Sequence, residues 1–506
     1  MYAKVLGETP NGLEGELIIV EVDLERGLPG FEIVGLPDMA IRESRERVRT
    51  ALKNSGFPFP QNRITVNLAP ANLRKDGSGL DLPIAIGILV SLGVLPQEKV
   101  QGKVFIGELS LEGVIRNVSG ILPMVLEARD RKLKEIYIPE GNREEGQIVG
   151  DIDIFTPTTL KELVAHLQTP VLEALPHTEW QPALQEEGGA PDFADVHGQP
   201  VAKRALEIAA AGGHNILLVG SPGSGKTMLA RRLTGILPPL TRDEALEVTK
   251  VYSIAGLLKD HKGMLRERPF RSPHHTITLS ALIGGGMVPV PGEVTLSHNG
   301  VLFLDEFPEF PRPALEALRQ PLEDHVVSIS RIQGSYRFPA SFLLACAQNP
   351  CPCGYLGDSV KPCTCRPFEI NRYQRKISGP LLDRIDLQVY VPRVEYKALR
   401  EEGGEETSAQ IRQRVCAARA LQVERLQGSG SYCNAAMDHR QVRTYCKLDQ
   451  ASNALLEAAF CKLGLSARSY DRLLKVARTI ADLAESQVIL PDHIAEAIQL
   501  RTNVGK

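Results

Sequence analysis

The sequence predicts an α/β plus α fold. An N-terminal α+β domain comes first, then a domain with a parallel sheet built around a phosphate-binding loop, then a lid of helices alone. Three observations predict it. Gly220–Thr227 reads G-S-P-G-S-G-K-T between an apolar strand and a helix. From about Asp192 to Arg393, apolar strands alternate with helices, the pattern of a parallel sheet covered by helices. Beyond Ser408 only helical periodicity remains. A chain of 506 residues has room for about three domains. The expected divisions are 1–168, a linker at 169–191, 192–395 and 396–506.

Composition narrows the function classes. Apolar residues at 43% and charged residues at 24% exclude a fibrous or mainly disordered chain. A formal net charge of −3 excludes coating nucleic acid by bulk charge, so any such contact needs a local patch. The N-terminus has no basic region followed by an apolar core, so it does not read as a signal peptide. The longest apolar run, within Leu82–Leu95, is interrupted by Gly87 and Gly93. It is shorter than the ~18 residues of a membrane helix. The expectation is a cytoplasmic protein with no membrane partner. Nine cysteines in a chain this long do not form a disulfide scaffold.

In the first domain Leu17–Asp23, Phe31–Gly35 and Arg63–Ala69 are rich in β-branched residues and read as strands. Asp38–Asn54 reads as an amphipathic helix, with Ile41, Val48 and Leu52 on one face and Gly56 after its end. KVFIG, a helix near Leu122–Arg131 and the strand EIYIP continue the alternation. The Pro-, Gly- and Glu-rich stretch that follows reads as a linker that leaves the first domain free to shift. An acidic break at Arg400–Ser408 precedes helices at Ala409–Leu426, Leu448–Leu463, Ala467–Glu485 and Pro491–Leu500.

The central motif fits G-x-x-x-x-G-K-[ST] at every fixed position, through Gly220, Ser221, Pro222, Gly223, Ser224, Gly225, Lys226 and Thr227. Its glycines let successive backbone N–H groups point inward at phosphate, and the helix that follows adds its positive dipole end. Lys226 is placed to reach the β- and γ-phosphates of ATP, and Thr227 to hold Mg²⁺. Val301–Phe307, V-L-F-L-D-E-F, delivers two acids at the C-terminal end of a buried strand. Asp305 is expected to hold Mg²⁺ through water, and Glu306 to orient the attacking water. The pair of motifs points to phosphoryl transfer to water.

With FLLACAQNP and LLDRIDL added, the chain resembles the AAA+ ATPases, in the branch of magnesium chelatase motors and MCM helicases. The resemblance implies that Asn349 is a polar sensor. It also implies that Arg384 acts in trans on a neighbour's γ-phosphate, which makes the active species a ring. A lid arginine that contacts the nucleotide falls on Arg468 or Arg472, and His197–Gln199 falls where this class packs the adenine.

Gly107–Ala128 with Lys75–Leu89 resembles the proteolytic domain of Lon, whose chemistry uses a Ser nucleophile and a Lys base. The nucleophile position holds Gly79, beside Ser78, and the base position holds Leu122. The resemblance therefore implies a Lon-like fold without the catalytic dyad.

Together with RSPHH, ISGPLLDRIDL and SARSYDRLLKVARTIADL, these segments resemble the YifB/ComM family of magnesium chelatase-like ATPases over nearly the whole chain. That resemblance implies a hexameric, ATP-driven DNA motor, a helicase or translocase of the branch-migration type acting on single-stranded or branched DNA in natural transformation and recombination. Two alternatives are a chelatase-type motor that remodels a protein or inserts a metal, and an ATP-dependent peptidase.

Cys351, Cys353, Cys363 and Cys365 follow the sensor as C-x-C pairs, a pattern able to close a tetrahedral Zn²⁺ site. Two insertions are candidates to face a pore: Leu282–Pro291, and a hairpin carrying Arg331, Tyr336 and Arg337. Cations beside an aromatic suit a phosphate backbone and base stacking. The basic stretch Arg266–His275 is a further candidate DNA surface.

Overall fold

The computed structural model describes residues 1–75, 77–181, 191–258, 263–286, 289–331, 334–358, 360–394, 405–463 and 467–502. Asp76, part of the linker, Met287 and Val288 of the glycine-rich stretch, most of the acidic break and the side chain of Arg331 lie outside the described residues.

The N-terminal part is a seven-stranded mixed sheet. Its order is Gly30–Val34, Arg63–Ala69, Glu14–Glu25, Tyr2–Asn11, Lys103–Phe105, Glu135–Tyr137 and Asp153–Phe155. Tyr2–Asn11 and Glu14–Glu25 form a long antiparallel hairpin, and the strands from Lys103 onward run parallel. The helix Met39–Asn54 starts where Asp38 accepts a hydrogen bond from the Ile41 amide (2.8 Å) and buries Ile41, Ser44, Val48, Ala51 and Leu52 along one side. The apolar run is the helix Asp81–Ser91, and every one of its residues is buried. Gly87 lets it approach the sheet: an added Cβ would stand 2.6 Å from Val22 Cγ2.

The central sheet has five parallel strands in the order Phe270–Arg271, Val301–Leu304, Leu343–Gln348, Ile216–Val219, Leu387–Tyr390. Ile216–Val219 and Val301–Leu304 are wholly buried, as expected of strands covered on both faces. Ser408–Arg425, Gln450–Leu463, Ala467–Leu483 and Pro491–Thr502 form the helical part, with His439–Tyr445 added between the first two. These helices share one apolar core with Pro200–Gly212 and Lys226–Ile236 of the central part.

The first part is docked on the second. Gly120 donates its amide to the Ser253 carbonyl (3.0 Å), and the Leu122 amide faces Ser253 Oγ (3.4 Å). The Ser253 hydroxyl donates to Glu145 (2.6 Å), which also accepts from Asn142 (2.9 Å). Burial raises the Glu145 carboxyl above its ordinary value, against these hydrogen bonds. Leu246 and Met264 pack on the apolar cluster around Leu122. The free shift expected of a long linker is thus met by direct packing against the helix Arg242–Ile254.

Candidate functional site

The phosphate loop leaves a buried strand and enters the helix Lys226–Ile236, whose N-cap is Gly225 at φ 91° with no side-chain cap. The first amides of that helix are therefore not satisfied by a capping side chain. Added Cβ atoms at Gly223 and Gly225 would meet nothing within 4 Å, so the loop opens onto free space, while Gly220 is pressed against Val391. The buried Ser224 hydroxyl has no hydrogen-bond partner. A helix start without a capping side chain, open space and an orphan hydroxyl fit a polyphosphate.

Lys226 is buried, and burial lowers its pKa. Its ammonium donates to the carbonyls of Gly220 (2.7 Å) and Ser221 (2.9 Å) and reaches Asn349 Oδ1 (3.4 Å). The Thr227 hydroxyl donates to Asp305 (2.7 Å), so the hydroxyl and carboxylate expected to share Mg²⁺ already face each other. Glu306 sits at φ 52°, the left-handed region, with a side chain 58% exposed beyond the strand end. His275 Nδ1 stands 3.0 Å from its carboxylate. Sequence reasoning placed His275 in a basic stretch and missed this pairing; only the parallel neighbour strand Phe270–Arg271 brings it there. Gln199, expected to lie where adenine packs, starts the helix Pro200–Gly212, donates to the Pro392 carbonyl (2.5 Å) and keeps a buried Oε1 without a partner.

Arg384 lies at the opposite, N-terminal end of the strands. Asn215, just before the strand Ile216–Val219, donates to the Arg384 carbonyl (3.0 Å), whereas Gly220 follows that strand. Five residue steps at about 3.3 Å separate the two ends of the strand by roughly 16 Å. The Arg384 guanidinium is 5% exposed; it donates to the Pro380 carbonyl (2.6 Å) and pairs with Glu323 (2.5 Å), while its buried Nε has no partner. Arg472 is at the same end, 2.9 Å from Asp386. Arg468 is exposed. The Glu323 carboxyl is lowered first by its bond to Arg384, with Arg468 and Arg472 contributing. Both lid arginines thus gather near Arg384 rather than near Lys226.

The cysteine loop lies against the phosphate loop. The four sulfurs lie within 4.8 Å of one another. In the hairpin Val326–Arg331 with Gly334–Pro339, Arg337 is exposed, while Tyr336 is half-buried and lies near Gly12 of the first hairpin turn. In the basic stretch, Arg268 donates to the carbonyls of Pro238 and Asn299 and to Glu244, and Arg271 pairs with Glu293 (2.7 Å), so neither is a free cation.

At the Lon-like positions, an added Cβ at Gly79 would face Ile106 and Val118, and Leu122 is fully buried. The Ser78 hydroxyl bonds to the Glu108 carboxylate, and Lys75 donates to the carbonyls of Gly35 (3.0 Å) and Pro70.

Among the described residues no helix is long and apolar enough to cross a membrane. Three family descriptions match the chain: magnesium chelatase, subunit ChlI, at 192–399; subunit ChlI of Mg-chelatase at 20–142; and magnesium chelatase, subunit ChlI C-terminal, at 405–501. The chain is 45% identical to the competence protein ComM of Haemophilus influenzae, over 99% of this chain and 98% of that protein. It is 42% identical to the protein YifB of Escherichia coli, over 97% and 95%. A shorter match, 26% identical, covers 33% of this chain and 23% of the Lon protease of Mycolicibacterium smegmatis. The family implies use of nucleotide and Mg²⁺, and the chain belongs to the magnesium chelatase-like AAA+ ATPases of the ComM and YifB group.

Proposed function

We propose that the chain is one subunit of a hexameric, ATP-driven DNA motor that moves single-stranded or branched DNA in the cytoplasm during natural transformation and recombination. One observation carries the ring: Lys226 and Glu306 stand at the C-terminal ends of the central strands, and Arg384 at their N-terminal ends. An arginine that starts from the opposite end of these strands from its own phosphate loop, with its guanidinium on Glu323, is placed to complete a site on a neighbour. In this reading Lys226 answers the β/γ charge, Thr227 and Asp305 hold Mg²⁺, Glu306 orients the water and Asn349 senses the γ-phosphate. Bound Mg²⁺ supplies charge neutralisation on the phosphates. Arg384, with Arg472 and Arg468 beside it, neutralises charge that grows on the neighbour's nucleotide.

The DNA reading draws on the competence protein among the relatives and on the exposed Arg337 at the hairpin. The four-cysteine loop is assigned a structural Zn²⁺ in the same reading. The first domain is assigned no peptidase role, because Gly79 and Leu122 replace both members of the dyad.

The test is the ATPase rate with no DNA, single strands, duplex and a branched junction, together with the mass of the assembly. Stimulation by DNA, highest on the junction, supports the motor. An equal rate in all four favours the protein-remodelling alternative.

A further inference from the structure

We infer that a Zn²⁺ held by Cys351, Cys353, Cys363 and Cys365 braces the phosphate loop, so that metal loading sets how tightly the chain holds nucleotide. The inference rests on the zinc reading above.

The sulfurs are arranged for one ion. Cys351 lies 3.4 Å from Cys353 and 3.7 Å from Cys363, and Cys353 lies 3.6 Å from Cys363. Zn–S bonds of about 2.3 Å in a tetrahedron give S···S edges of roughly 3.8 Å. The Cys353 amide donates to Cys365 Sγ (3.3 Å), and Cys353 Sγ faces the amides of Tyr355 and Thr364. Amides aimed at sulfur stabilise thiolates. Four soft donors with no oxygen ligand select Zn²⁺ over Mg²⁺.

The same loop touches the nucleotide machinery. Gly354 has φ 86°, and a Cβ there would stand 2.7 Å from Pro222 Cγ and Cδ, so bare backbone abuts the phosphate loop. Asp358 lies beside Ser221 and accepts from the Val360 (2.8 Å) and Lys361 (2.9 Å) amides. Tyr390, on the strand next to Ile216–Val219, donates to the Gly357 carbonyl (3.2 Å). Two residues before Cys351, Asn349 faces Lys226. Between Cys351 and Cys365 the described backbone forms turns, with no helix or strand. Such a segment keeps its shape only if something offsets its conformational entropy. Four metal–sulfur bonds do so, and the contacts at Pro222 and Ser221 pass that order to the loop that cradles phosphate.

The test uses the full chain, purified without chelator. Metal is counted by mass spectrometry, and the Kd of a fluorescent ATP analogue is measured before and after zinc is stripped with a mercurial. A third measurement follows removal of the mercurial and return of Zn²⁺. About one Zn²⁺ per chain is expected. Stripping should weaken nucleotide binding by roughly tenfold or more, reversed by Zn²⁺. Gly354→Ala should weaken it as well with zinc retained, because its methyl group pushes on Pro222; this variant decides the matter if the stripped chain fails to stay folded. A chain with no metal and four reactive thiols overturns the zinc reading and the brace with it. A chain that loses its zinc and keeps its Kd, or a zinc-loaded Gly354→Ala with unchanged Kd, overturns the brace alone.

Discussion

His275 Nδ1 stands 3.0 Å from Glu306 Oε2 and holds a carboxylate that is otherwise 58% exposed at the end of its strand. Glu306 leaves that strand in a left-handed conformation, so its aim depends on side-chain partners as much as on backbone. Removing the imidazole should let the carboxylate rotate away from the water it is proposed to orient. His275→Ala is expected to lower kcat by roughly tenfold or more with the KM for ATP unchanged. Rescue by His275→Asn, which keeps a donor near the same place, separates positioning from general damage. Steady-state kinetics on both variants is the check.

Lys226→Ala should abolish nucleotide binding, because its ammonium is the loop's cation. Glu306→Gln should bind ATP normally and stop hydrolysis, with kcat down by about 10²-fold or more. Normal turnover in the Gln variant would assign the water-orienting role to another acid. Calorimetric binding beside a phosphate-release assay reads both.

Asp386 ties the strand end that carries Arg384. Burial alone would raise its carboxyl, but the His214 ring 3.4 Å away and the charges of Arg472 and Arg501 outweigh it and bring it to about 2, from an ordinary 3.8. A depressed carboxyl contributes stability that is present above its ordinary value and lost as pH falls through its folded one. The amount is on the order of 2 kcal/mol, and the window runs from about pH 4 down to about pH 2. Asp386→Asn should lower stability by that order at neutral pH and flatten the melting temperature against pH in that window.

Ser253 donates to Glu145 across the boundary between the N-terminal and central parts of the chain. Ser253→Val should leave that half-buried carboxylate short of a donor and cost about 1–3 kcal/mol. Thermal melting and faster proteolysis near the domain boundary would register it. Ser78→Ala should change neither ATP hydrolysis nor protein cleavage, since its hydroxyl faces a carboxylate and no lysine is placed beside it among the described residues.

The readable parts of this chain are those whose physics is local. The phosphate loop needs glycines at set positions, so Gly220–Thr227 declared both itself and the helix that follows. The helix Met39–Asn54 carries its cap and its apolar spacing within one segment, and the tail helices likewise end within two residues of expectation. The helix Asp81–Ser91 has no period to read, because all its faces are buried. The strand Tyr2–Asn11 is masked by Gly7 and Pro10; Gly7 is there because any side chain would strike Pro83, 2.9 Å from its Cβ position. The pairings His275–Glu306, Asn215–Arg384 and Ser253–Glu145 join residues far apart in the chain. Nothing in the type of any one of them announces its partner. The pairing of Arg268 and Arg271 was hidden for the same reason: the acids that occupy them lie elsewhere in the sequence.

The central claim is that one active site is assembled from two subunits, with Lys226 from one and Arg384 from the next. The direct measurement mixes Lys226→Ala chains with Arg384→Ala chains at equal concentration and reads ATP hydrolysis on a branched DNA junction. Each variant alone should be inactive, the Arg384 variant still binding ATP. The mixture should recover part of the wild-type rate, because an intact Lys226 then faces an intact Arg384 across some interfaces. A mixture as inactive as its components, in rings shown by mass to contain both chains, would contradict the account.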